Sequence, residues 1–197
     1  MNSVKAAISA TAARLIVENG LDFGSAKRQA IKQLGLPTRS ALPDNDELED
    51  AVFEHIAIFC ADTQASELLA LRRLALIWME RMAEFWPHLG GAVWHGSATR
   101  LTDVYLHLFC DDSKSAELSL IDHHTNYVAR STLGRQGDSI PTLSVHAFCR
   151  DLNEEVGVHL LIHDHDAVRG ALRQDAKGRC PYGDLAAVRR LVHDHQL

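Results

Sequence analysis

Asp103 is the residue of this sequence best placed to do chemistry. It opens the run Asp103-Val104-Tyr105-Leu106-His107-Leu108-Phe109, whose polar and apolar residues alternate as in a half-buried strand. Successive side chains of a strand point to opposite faces, so Asp103, Tyr105 and His107 share one side and Val104, Leu106 and Leu108 the other. Just upstream stand two pairs of small residues, Gly90-Gly91 and Gly96-Ser97. Such residues let backbone amides come close to a phosphate. Arg100 lies between the second pair and Asp103, where a cationic side chain could contact that phosphate. Gly96, Ser97 and Arg100 are the first residues to consider for such a contact, with Gly90-Gly91 the other choice of pair, and Asp103 offers a carboxylate.

The chain holds 12 histidines, several of them clustered. In the alternating run Val156-Gly157-Val158-His159-Leu160-Leu161-Ile162-His163, His159 and His163 share a face with Leu161, and His165 joins them if the strand continues that far. Were this strand the neighbour of the one beginning at Asp103, then Asp103, His107, His159 and His163 would converge. A set of that kind suits zinc better than magnesium, with Asp103, His107 and His159 as the first ligands to consider. The spacing matches no compact zinc signature, however, and dispersed surface histidines account for the same residues. Ser97 lacks a Gly-x-Ser-x-Gly elbow and a placed base, so it does not read as a nucleophile. Cys60, Cys110, Cys149 and Cys180 are widely separated and read as reduced, buried thiols.

The stretch from Leu89 to Leu106 resembles the signature of the polymerase-β-like nucleotidyltransferases: an apolar residue, a Gly-Gly or Gly-Ser pair, a spacer of about ten residues, then Asp-apolar-Asp/Glu-apolar. In that family two acids one residue apart on a strand hold a divalent metal, and a third lies on a later strand. The resemblance covers the second half of the chain and implies a small mixed sheet of nucleotidyltransferase type. It also implies a nucleoside triphosphate or phosphorylated small molecule as ligand, Mg2+ as cofactor and Asp103 as the catalytic carboxylate. The chain departs from the pattern at Tyr105, which stands where the second acid should be, and at His159, the best slot for the third. One carboxylate of three remains, so metal-dependent transfer is expected to be weak or lost.

The elements that must position these residues divide near Trp86. Residues 1–86 read as a helical segment. One helix ends at Gly20, a second runs from Ser25 to Gly35, a third starts at Pro43-Asp44-Asn45-Asp46, and a long apolar fourth stops before Pro87. Residues 87–197 read as an α/β domain. Its expected strands are in GGAVWHG, DVYLHLF, NYVARST, TLSVHAF and VGVHLLIH; SKSAELSLIDH is a crossing helix, and a terminal helix is capped by Asp184. The fold class is thus α+β, with the helical segment expected to pack on the sheet.

Net charge is −6, unevenly spread: +4 over residues 1–40, −7 over 41–86 and −3 over 87–197. An acidic chain is a poor nucleic-acid binder, and only the helix with Lys27, Arg28 and Lys32 offers a basic face. No apolar run suffices to cross a bilayer, and the start lacks the order of a secretory signal, so a cytoplasmic location is expected. Two rival readings remain: a non-catalytic interaction module, such as a homodimer, and a histidine-rich metal-binding protein.

Overall fold

A computed structural model describes residues 2–134, 138–168 and 178–194. The chain forms two compact units, Met1–Ser66 with Ser97–Leu101, and Glu67–Gly96 with Thr102–Leu197.

The first unit is helical. Helices α1 (Asn2–Asn19), α2 (Phe23–Gln33) and α3 (Asn45–Phe59) enclose a core that includes Ile8, Ala12, Leu15, Ala30, Ile31, Leu48, Val52 and Ile56. Their ends follow local chemistry. Gly20 leaves α1 at φ +66°, and a Cβ there would sit 2.9 Å from the Leu101 carbonyl oxygen. Asp22, rather than the expected Ser25, caps α2 by accepting from the Ser25 amide, because its carboxylate precedes the helix by one residue and reaches the free N–H groups of the first turn. Asp44 and Glu47 close a reciprocal capping box on α3. Lys27, expected on a basic surface, is instead buried and donates to Asn45 Oδ1 at 2.8 Å. Arg28 and Lys32 do line a surface cleft, with Ser25, Gln29 and Gln33.

The second unit is built on a six-stranded mixed sheet. After α4 (Gln64–Arg81) come β1 (His88–Gly90), α5 (Gly91–His95), β2 (Val104–Phe109), α6 (Ser113–Asp122), β3 (Val128–Leu133), β4 (Ser139–Cys149), β5 (Glu154–His163), β6 (Tyr182–Asp184) and α7 (Leu185–Asp194). The strand order is β3-β4-β5-β2-β1-β6; β2 and β5 are parallel, and every other neighbouring pair is antiparallel. One face carries Leu89, Val104, Leu106, Leu108, Leu143, Val145, Val158, Leu160 and Ile162, all buried. Helix α4 lies against that face, where Cys149 Sγ approaches the Ala70 carbonyl at 3.9 Å. Arg189 of α7 pairs with Glu80 of α4. No helix among the described residues is long and apolar enough to cross a membrane.

Two expectations change. GGAVWHG is not a strand: β1 stops at Gly90 and residues 91–95 make a helical turn. Gly91 at φ +66° breaks the extended path, and Gly96 at φ +96° ends the turn in the left-handed region. A short apolar run bounded by glycines has too little periodicity to separate a strand from a helix. The fourth helix, read from sequence as part of a 1–86 segment, falls from Glu67 onward in the unit with the sheet. Its apolar side holds Leu71, Leu74, Ala75 and Trp78, all buried. The terminal helix begins where Asp184 accepts from the Ala187 amide, as the sequence implies; residues 195–197 lie outside the described residues.

Candidate functional site on the open sheet face

The face of the sheet opposite α4 carries the chemistry. Strand register lines up Tyr182 (β6), Gly90 (β1), Tyr105 (β2), His159 (β5), Ser144 (β4) and Val128 (β3) in one row. Asp103 precedes β2 and Gly157 precedes His159 by two residues, so both project from the same side. Tyr105 is 37 % exposed and Val128 50 %, whereas Phe109, Leu161 and Thr142, farther along the strands, are buried. The accessible part of this face is therefore its Asp103 end.

Asp103 is held from two directions. Its Oδ1 accepts the Gly157 amide at 3.1 Å, and its Oδ2 lies 3.0 Å from His159 Nε2. A Cβ at Gly157 would sit 2.7 Å from the carboxyl carbon, so glycine is what allows the carboxylate to lie over this backbone. The other ring nitrogen of His159, Nδ1, is 2.9 Å from Ser144 Oγ. Tyr105 covers the imidazole, with ring centres 4.8 Å apart. His107 takes a different partner: its Nδ1 is 2.8 Å from His163 Nε2, and its ring also meets Tyr182 at 4.2 Å. Burial lowers the His163 pKa, a shift that Asp138 partly opposes. His165 has left the strand and meets Trp86 edge-on at 5.6 Å.

The structure thus brings Asp103 and His159 together, as strand adjacency predicts. It does not gather Asp103, His107 and His159 about one ion. Four residues along a strand span about 13 Å, so the Asp103–His159 and His107–His163 pairs form two separate contacts. Among the described residues no group of three or more His, Cys, Asp or Glu could hold a metal ion. The donors that Mg2+ would need do not fit either, because both Asp103 oxygens already have protein partners and the neighbouring positions hold Tyr105 and His159.

Gly96 is the C-cap of α5, and Arg72, buried, donates to the Val93 and Trp94 carbonyls of that turn. Ser97 is buried and Arg100 exposed; both belong to the first compact unit, whereas Asp103 belongs to the second. The glycine pair at the strand-to-helix junction is Gly90-Gly91. Gly91 is exposed, and a Cβ on it would lie 3.8 Å from the Tyr105 ring. At Gly90 a Cβ would come within 2.8 Å of Tyr182 and 2.9 Å of His107, so those rings would have to move to admit one.

Sequence reasoning missed Ser144, Gly157 and Tyr182. Ser144 stands at the opposite parity to Leu143 and Val145 and so faces away from the core, which alternation does reveal. Nothing local pairs it with His159. Among the thiols, Cys110 is pushed above its usual pKa by burial and by Asp112, Asp111 and Asp164, which disfavours its thiolate. No family model, curated protein or solved structure matches the chain.

Proposed function

We propose that this protein binds a nucleotide or another phosphorylated small ligand at the Asp103 end of the open sheet face, as a nucleotidyltransferase-like protein whose metal-dependent transfer is weak or lost. The observation that carries this reading is the meeting of the Gly90-Gly91 junction with Tyr105 beside Asp103. Gly91 leaves its backbone open to a phosphate, and its positive φ favours glycine. Tyr105 offers a half-open aromatic face on which a base can stack, an interaction of roughly 1–3 kcal/mol. The occupied Asp103 carboxylate argues against two-metal transfer, since an ion would have to displace both the Gly157 amide and His159.

Thermal unfolding with adenosine triphosphate, with and without Mg2+, tests this. At a ligand concentration 100 times the dissociation constant the stabilisation is about 2.7 kcal/mol, or roughly 5–10 °C for a chain of this length. The shift is expected to survive chelation of Mg2+ and to shrink in Tyr105→Ala. No shift with any nucleoside triphosphate at millimolar concentration, or a full shift in Tyr105→Ala, would rule the reading out.

A further inference from the structure

We propose that Asp103, His159 and Ser144 form a proton relay that makes the Ser144 hydroxyl a nucleophile toward activated esters. The inference stands on hydrogen bonding across three adjacent strands and does not rest on nucleotide binding. An ionised carboxylate only accepts hydrogen bonds, so Asp103 Oδ2, at 3.0 Å, selects the tautomer of His159 with its proton on Nε2. Nδ1 then carries the lone pair, and the Ser144 hydroxyl donates to it at 2.9 Å. Base and nucleophile are within proton-transfer reach, and a third group orients the base; the logic is that of a serine–histidine–carboxylate triad with the roles of the two ring nitrogens exchanged.

Three features keep the relay in place. The Gly157 amide fixes the carboxylate at 3.1 Å, the Tyr105 ring lies along the imidazole, and Ser144 stands directly opposite His159 in the β4–β5 register. Ser144 is half-buried, with exposed Val128 and half-exposed Tyr105 in its row, so an acyl carbon can approach from the open side. Exposed Arg130, opposite Thr142 on the same face, adds positive charge one row away and suits an ester whose acyl group is anionic.

In the reaction Ser144 Oγ bonds to the acyl carbon while its proton passes to His159 Nδ1. Collapse of the tetrahedral adduct breaks the bond to the ester oxygen, which takes that proton and leaves as the alcohol. Water then attacks the acyl-serine, giving one proton to His159, and the return of that proton to Ser144 Oγ releases the carboxylic acid. The net change is ester plus water to acid plus alcohol, with no oxidant or metal.

The test uses the full chain and a fluorophosphonate ester, which phosphonylates an activated serine with loss of fluoride. Intact mass and peptide mapping are expected to find one adduct, on the peptide containing Ser144, and none in Ser144→Ala. His159→Gly is expected to slow labelling by roughly 100-fold or more, the scale of general-base catalysis, and added free imidazole is expected to restore part of the rate. Asp103→Asn is expected to slow it less, because Asp103 acts only through His159. Circular dichroism of each variant checks that the sheet is intact. A native wild-type protein without an adduct at Ser144, or one labelled as fast in a folded His159→Gly, overturns the proposal.

Discussion

Replacing Gly157 with alanine probes the Asp103 cluster with a change of sign. The backbone at Gly157 is not in the left-handed region, so alanine is conformationally allowed and by itself gains about 0.4–1 kcal/mol by restricting the unfolded chain. In the native protein, however, the new Cβ meets the Asp103 carboxylate at 2.7–2.9 Å. The carboxylate must swing away, which costs the buried Gly157 amide its acceptor, a penalty of about 1–3 kcal/mol. The contact with His159 adds little, because the Asp103 side chain is 46 % exposed and the interaction is screened; about 0–1 kcal/mol is the range for such exposed polar pairs. The net expectation is a destabilisation of about 1–2 kcal/mol. In an Asp103→Ala background the obstruction is gone, and the same Gly157→Ala change is expected to be neutral or stabilising. Urea unfolding followed by circular dichroism on the four proteins of this cycle gives the coupling directly. Equal destabilisation in both backgrounds would refute the claim that Asp103 occupies the space above Gly157.

Other consequences follow from single contacts. Leu106→Ala, which empties a fully buried position in the central parallel pair, should cost about 2–5 kcal/mol in the same urea assay. Asp44→Ala removes the acceptor for the Glu47 amide and half of the capping box, and a loss of about 1 kcal/mol is expected from the unfolding midpoint. His163 has a native pKa below its unfolded value of about 6.5, so the unfolded chain takes up its proton first. Its neutral form contributes fully above that value; stability falls as pH drops below about 6.5 and stops falling once pH passes the lowered native pKa. Melting temperatures from pH 5 to 8 should therefore show a shallower acid-side slope in His163→Gln than in the wild type.

Much of the fold was legible because helix ends and strand faces are written in short-range chemistry. Gly20, Asp44 and Asp184 mark boundaries through groups that lie within one helical turn. The alternation of β2 and β5 gave the inward faces correctly, since a period of two needs no knowledge of neighbours. GGAVWHG was not legible, because Gly91 adopts a positive φ that no residue type announces by itself.

The sequence alone determined the α+β class, the helix starts at Asp44 and Asp184, and the side of the strand on which Asp103, Tyr105, His107, His159 and His163 would lie. Tertiary structure decided the partners. Only the order β4-β5-β2-β1 sets Ser144 and Asp103 on either side of His159, and only the spacing along paired strands divides the histidines into two contacts rather than one metal cluster. Which strands become neighbours depends on cooperative burial of a whole face, a property of all the strands together. Local patterns fix the direction of each side chain, but not what stands across from it.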